Sequence, residues 1–181
     1  GEPLIQQDTF KFIKRVEESG NESVDWKIVT NGHVAITQKI KSLFQDRYWQ
    51  QVHVSVDSLD KDTYQKIRLG GQLEMALQFL QFLDLCKLDK TVKNIKVSMC
   101  VGKPNYLQMG EFFNWATEKG YLCEFQYVYY DPNRDFGFHN FTVKQLEKVV
   151  AEIQKFAIPA DVANPILASL LRAIAAKTDK I

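Results

Sequence analysis

Cysteine is scarce in this chain: Cys86, Cys100 and Cys123 are the only three in 181 residues. So small and odd a count excludes a disulfide scaffold and favours a reducing compartment, which points to the cytoplasm. Long hydrophobic runs are missing too. No apolar stretch nears the ~20 residues that span a bilayer, and no signal-peptide pattern opens the chain, so no membrane role is expected. Neither sign of charge is in excess, with 23 Lys plus Arg against 22 Asp plus Glu and a net charge of +1. That balance removes the electrostatic case for a nucleic-acid partner. What is present is ordinary globular material, 45% hydrophobic and 25% charged, which excludes disorder and suffices for a sizeable core. The first residue is Gly1 rather than Met, which implies that an upstream segment has been removed.

Strand-like and helix-like segments alternate. Gln7 to Glu18 places Phe10, Ile13 and Val16 on one helical face, and Gly20-Asn21 stops it. Asp25 to Thr30 is a short strand ending at the Asn31-Gly32 turn, and Thr37 to Phe44 is a second helix. Gln51 to Asp57 is a strand, followed by a long helical stretch from Asp60 to Leu88 with a break or bend at Gly70-Gly71. Lys93 to Val101 is a third strand, Asn105 to Lys119 a helix, and Cys123 to Tyr130 a fourth, aromatic strand. After Asp131-Pro132 come an amphipathic helix from Phe141 to Phe156, a looser segment punctuated by Pro159 and Pro165, and a helix from Ile166 to Ala176. This rhythm predicts βαβ units and an α/β fold with about four parallel strands, residues 1–131, and a C-terminal helical extension, residues 132–181.

Parallel strands covered on both faces read as continuous apolar runs; these do not. Val52, Val54 and Val56 alternate with His53, Ser55 and Asp57, and Ile95, Val97, Met99 and Val101 with Lys96, Ser98 and Cys100. In the fourth strand Phe125, Tyr127 and Tyr129 oppose Glu124, Gln126 and Tyr130. Helices would cover the apolar set. The polar set then faces a cavity, because burying it without partners is costly; an antiparallel sheet with one wet face is the alternative.

Ligands of α/β folds bind at the carboxyl ends of the strands. Thr30-Asn31-Gly32, Ser55-Val56-Asp57-Ser58, Val101-Gly102-Lys103-Pro104-Asn105 and Tyr129-Tyr130-Asp131-Pro132 collect there, and Gly1-Glu2-Pro3-Leu4 precedes the first helix. In this order and spacing, GEPL, TNG, VHVSVDSLDKDTYQKIRLGG and the later VSMCVGKPNYLQMGEFFNWATEKG resemble a radical S-adenosylmethionine (SAM) enzyme over roughly residues 1 to 130.

That resemblance implies part of a (β/α)6 barrel with four of its six strands present. It implies that Gly1, Glu2 and Pro3 hydrogen-bond the amino group of SAM, with Glu2 taking up part of the ammonium charge. Thr30 and Asn31 belong to the second matching motif. Ser55 and Asp57 resemble residues near the SAM ribose, Arg68 resembles an arginine that pairs with the SAM carboxylate, and Asn105 resembles a cofactor-facing polar residue after a strand. The implied chemistry is SAM cleavage to a deoxyadenosyl radical, then hydrogen abstraction from a small molecule or peptide. The 4Fe-4S cluster that this requires is implied only for a longer parent. The family's CxxxCxxC loop is absent here, and cysteines 14 and 23 residues apart fit no cluster spacing. The chain then reads as a carboxyl-terminal fragment, inactive alone, with no metal-ligating set and no assignable catalytic residue.

Other readings stay open at this level. Asp57 can cap the following helix, Arg68 can pair with Asp62 or Glu74, and Asn31-Gly32 can be a plain turn. The whole chain can be a degenerate barrel that binds SAM or a nucleotide without catalysis, or a flavodoxin-like interaction domain. A barrel lacking its first strands exposes an edge at Asp25 to Thr30, which predicts a dimer or a domain swap.

Overall fold

The structure, a computed structural model, describes residues 2–20, 23–127 and 136–178. Gly1, Asn21 and the Tyr129-Tyr130-Asp131-Pro132 strand end lie outside the described residues. The elements are α1 (Gln7–Glu18), β1 (Trp26–Thr30), α2 (Gln38–Gln45), β2 (Trp49–Ser55), α3 (Lys61–Ile67), α4 (Leu73–Leu88), β3 (Val92–Val101), α5 (Met109–Glu118), β4 (Leu122–Tyr127), α6 (Val143–Lys155) and α7 (Ala160–Thr178). Single 3-10 turns sit at Pro3–Ile5, Tyr106–Gln108 and Phe138–Asn140. The strands form one parallel sheet in the order β1-β2-β3-β4. This is the α/β architecture expected, consistent with part of a (β/α) barrel followed by C-terminal helices. Among the described residues, no helix is long and apolar enough to cross a membrane.

The helical stretch from Asp60 is broken at Gly70-Gly71, as expected: α3 and α4 flank a turn in which Gly70 takes a φ of +75°. One expectation needs correction. The loose segment around Pro159 and Pro165 is instead the start of α7, which runs through Pro165. Proline there removes one main-chain bond. Ala163, Ile166 and Leu170 nevertheless form a buried stripe at helical spacing, and tertiary burial outweighs that loss.

The chain packs as two compact units, Gly1–Ser55 with Gln72–Lys96, and Val56–Gly71 with Val97–Ile181. In the first, β1 and β2 pair in parallel with Ile28 opposite Val52 and Thr30 opposite Val54. Its core is aromatic: Phe44 of α2 lies 5.1 Å from Trp49 and 5.8 Å from both Phe79 and Phe82 of α4. The indole N–H of Trp49 donates to the Leu43 carbonyl at 3.1 Å, so the buried ring leaves no orphan donor. Thr37 caps α2, and Arg47 pairs with Glu17 of α1 at 2.8 Å.

In the second unit, Phe112 of α5 lies 6.0 Å from Phe125 of β4, while Tyr127 stacks on Phe138. A reciprocal box between Thr142 and Gln145 caps α6. Gly110 opens α5 directly beneath the ring of Phe156: a Cβ added there would lie 1.8 Å from Cδ2. The glycine is therefore required by close approach rather than by its backbone angle.

Gly110→Ala is expected to destabilise the protein by about 1–3 kcal/mol, because the aromatic ring must leave its place. Urea unfolding checks this as a lower midpoint at unchanged slope, and an unmoved midpoint would contradict the packing described.

Candidate functional site

The first unit brings Glu2, Thr30 and Asn31 together. Glu2 lies just before the Pro3–Ile5 turn, and its Oε1 accepts from the Leu4 N–H at 3.1 Å. The same oxygen accepts from the buried Thr30 hydroxyl at 2.6 Å, and Oε2 accepts from the Asn31 N–H at 2.8 Å. Thr30 Oγ1 in turn accepts from the Gly32 N–H at 3.0 Å, and Asn31 Oδ1 from the His33 N–H at 2.8 Å. Gly32 takes a φ of +72°, and a Cβ there would lie 3.1 Å from Val54 and 3.2 Å from the Ala76 main chain. The turn that a plain reading of Asn31-Gly32 foresaw is thus present, and it is also tied to a carboxylate 29 residues away. Pro3 opens the 3-10 turn, and Ser55 is half-buried as the last residue of β2.

The second unit brings Asp57, Arg68 and Asn105 together. Asp57 lies beyond β2 in the left-handed region at φ +58°, a conformation non-glycine residues adopt rarely and Asp more readily than most. The N–H groups of Val56 and Asp57 both donate to the Ser98 carbonyl, at 3.0 and 3.2 Å. Asp57 Oδ1 accepts from the Cys100 N–H at 2.7 Å, and Oδ2 lies 2.7 Å from Arg68 Nε. That second contact is a charge pair, since the Nε–H is not aligned on the carboxylate as a hydrogen bond. Asn105 is buried, and its Nδ2 donates to the Asp57 carbonyl at 2.7 Å and the Cys100 carbonyl at 3.0 Å. Its Oδ1 accepts from the Gly102 N–H at 2.8 Å. The Asn105 amide therefore serves main-chain groups of its own fold.

The plainer alternatives resolve here. Asp60, not Asp57, caps α3, accepting from the Thr63 N–H at 2.8 Å. Arg68 pairs with Asp57. One contributor escaped the sequence reading. Gln108 accepts from Ser58 Oγ at 2.7 Å and donates to Thr63 Oγ1 at 3.3 Å. Gln108 is 50 residues from Ser58, and nothing local in either stretch announces the pairing.

Burial governs the titration of the groups around Asp57. The Cys100 thiol is pushed up to about 11, mainly by burial and further by the Asp57 carboxylate, with Arg68 opposing. Tyr64 is pushed up to about 12, again chiefly by burial. Cys86, buried in α4, is also raised by burial. A thiol held neutral in this way is a poor nucleophile and a poor metal ligand. Among the described residues no three His, Cys, Asp or Glu side chains gather as a metal site, so the residues present do not fit an iron–sulfur cluster. A cavity of about 290 Å³ in the second unit is lined by Leu59, Asp60, Met99, Gln108, Glu111 and Phe112. Asp57, Arg68 and Asn105 are not among its lining residues.

The chain is similar to the GTP 3',8-cyclase of Aliarcobacter butzleri, 33% identical over 129 residues, which is 69% of this chain and 36% of that protein. It is 24% identical over 160 residues to a probable GTP 3',8-cyclase of Methanococcus maripaludis, covering 84% of this chain and 48% of that one. It is 27% identical over 118 residues to the GTP 3',8-cyclase of Alkaliphilus metalliredigens, 65% of this chain and 35% of that one. The chain thus spans about a third to a half of the length of these curated relatives. No family model matches it. The relatives support the radical SAM resemblance at the level of the superfamily.

Two measurements test the second cluster. Asn105→Ala leaves two buried carbonyls and one N–H without their partner and should cost about 2–4 kcal/mol. Urea unfolding of that variant checks it. Cys100 and Tyr64 have folded values above their ordinary 9.0 and 10.0, so the folded state holds their protons more tightly. Their contribution to stability is full below pH ~9 and is lost as pH rises through ~11 to ~12. Urea midpoints should therefore fall over that window, and less steeply in Cys100→Ser; an identical profile in the variant would remove Cys100 from the explanation.

Proposed function

We propose that this chain is part of a radical SAM enzyme and supplies residues that bind and orient SAM. The observation that carries the reading is the junction of Glu2 with Thr30 and Asn31, two motifs 28 and 29 residues apart held by one carboxylate. The similarity to GTP 3',8-cyclases supports the same class. On this reading the Gly1-Glu2-Pro3 segment meets the amino group of SAM, and Thr30 and Asn31 frame it. Arg68 answers the carboxylate of SAM with its planar guanidinium, and Ser55 and Asp57 serve the ribose. Asn105 acts at one remove, by holding the main chain at Asp57 and Cys100.

The reductive step belongs to a cluster for which the described residues hold no ligand set, so this chain's share is recognition rather than cleavage. The names of the relatives make GTP the first substrate to test in the longer parent, ahead of other small molecules and peptides. One observation favours a second reading, a degenerate barrel that binds SAM without catalysis: that same lack of a metal-ligating group. A CxxxCxxC motif in the natural reading frame upstream of Gly1 favours the enzyme, and a frame without one favours the binding module. The open β1 edge suits a dimer or a domain swap of the isolated chain, which light scattering tests as a mass above that of one copy.

Isothermal calorimetry with SAM is the direct test. The chain should bind it, and Arg68→Ala should weaken binding about tenfold, or ~1.4 kcal/mol. No binding by the unaltered chain would sink both the enzyme and the binding-module readings.

A further inference from the structure

The Glu2 carboxylate is unusually committed. An ionised carboxylate offers about four acceptor positions over its two oxygens. Among the described residues three donors already reach it: the Leu4 N–H and the Thr30 hydroxyl at Oε1, and the Asn31 N–H at Oε2. Oε1 is filled, and Oε2 keeps one position. The Thr30 hydroxyl fixes this allocation. Its oxygen accepts from the Gly32 N–H, so its own proton is directed to Glu2, at the 2.6 Å separation of a charge-assisted bond. Thr30 itself is held rigidly, as a buried residue at the end of β1 followed by a glycine whose missing Cβ faces Val54 and Ala76.

We infer that Thr30 is a positioning residue that leaves Glu2 a single outward acceptor, at Oε2. The site then takes one N–H of an ammonium group. It offers no second parallel acceptor for the bidentate grip of a guanidinium, and too few free oxygens for a divalent cation. This rests on the SAM reading and deepens it: Thr30 sets the affinity for the amino group of the ligand without touching the rest of it.

The test is calorimetry on the full chain with three probes. SAM carries both the ammonium and the carboxylate, decarboxylated SAM keeps only the ammonium, and 5'-methylthioadenosine has neither. Thr30→Val, which keeps the shape and removes the hydroxyl, should bind SAM and decarboxylated SAM about tenfold more weakly and 5'-methylthioadenosine as the unaltered chain does. Thr30→Ser, which keeps the hydroxyl, should restore the first two. Equal weakening of all three probes would mean that Thr30 merely supports the fold and would overturn the inference. Unchanged binding of all three would overturn it as well. If the unaltered chain binds neither SAM nor decarboxylated SAM, the inference falls together with the SAM reading, an outcome distinct from the other two.

Discussion

Where parallel strands end, their main-chain N–H groups lose the next rung of the ladder and must find another acceptor or water. In both units of this protein an acidic side chain supplies it. Glu2 takes the Asn31 N–H just past β1, and Asp57 takes the Cys100 N–H near the end of β3. The remaining site residues are arranged around these two carboxylates. Thr30 and Leu4 complete the first, and Arg68 sits against the second while Asn105 grips the main chain that bears it. Charge-assisted bonds to carboxylates are about twice as strong as neutral ones, which makes them suited to holding loops that would otherwise be free to move.

The arrangement also explains where strain is tolerated. A left-handed Asp57 costs on the order of 1–3 kcal/mol and persists only where its surroundings over-determine it. Here its N–H, its carbonyl and both carboxylate oxygens are all engaged. Such positions cluster at functional sites because they aim groups that a relaxed strand end would not. Asp57 faces Arg68 in this way, and the pair lies beside Tyr64, whose hydroxyl burial keeps protonated.

The chemistry of the chain is lopsided. One carboxylate bonded to Thr30 and Asn31, and a second paired with a guanidinium, are in place. The Cys86 and Cys100 thiols are raised by burial, and among the described residues no three metal-ligating side chains gather. The chain spans about a third to a half of the length of the relatives it matches.

The alternation of strands and helices was legible in the sequence because it is a local, periodic signal: α1 spans the residues its apolar spacing marks out, and β1 to β4 fall where β-branched and aromatic residues alternate. The break at Gly70-Gly71 was legible too, because glycine is a local signal. The element misjudged is the one where a local breaker and a long-range gain compete: the stripe of Ala163, Ile166 and Leu170 carried α7 through a proline that should have delayed it. The candidate site residues were likewise marked by type and position, since acids, Thr and Asn at strand ends are conspicuous in one dimension. Their partners were not. That Glu2 would bond Thr30, that Arg68 would pair with Asp57, and that Gln108 would reach Ser58 depends on chain segments 11 to 50 residues apart being packed side by side. Sequence determined which groups are available at the strand ends. Only the tertiary structure decided which of their lone pairs are already spent, because hydrogen-bond partners are set by distance in space and not along the chain.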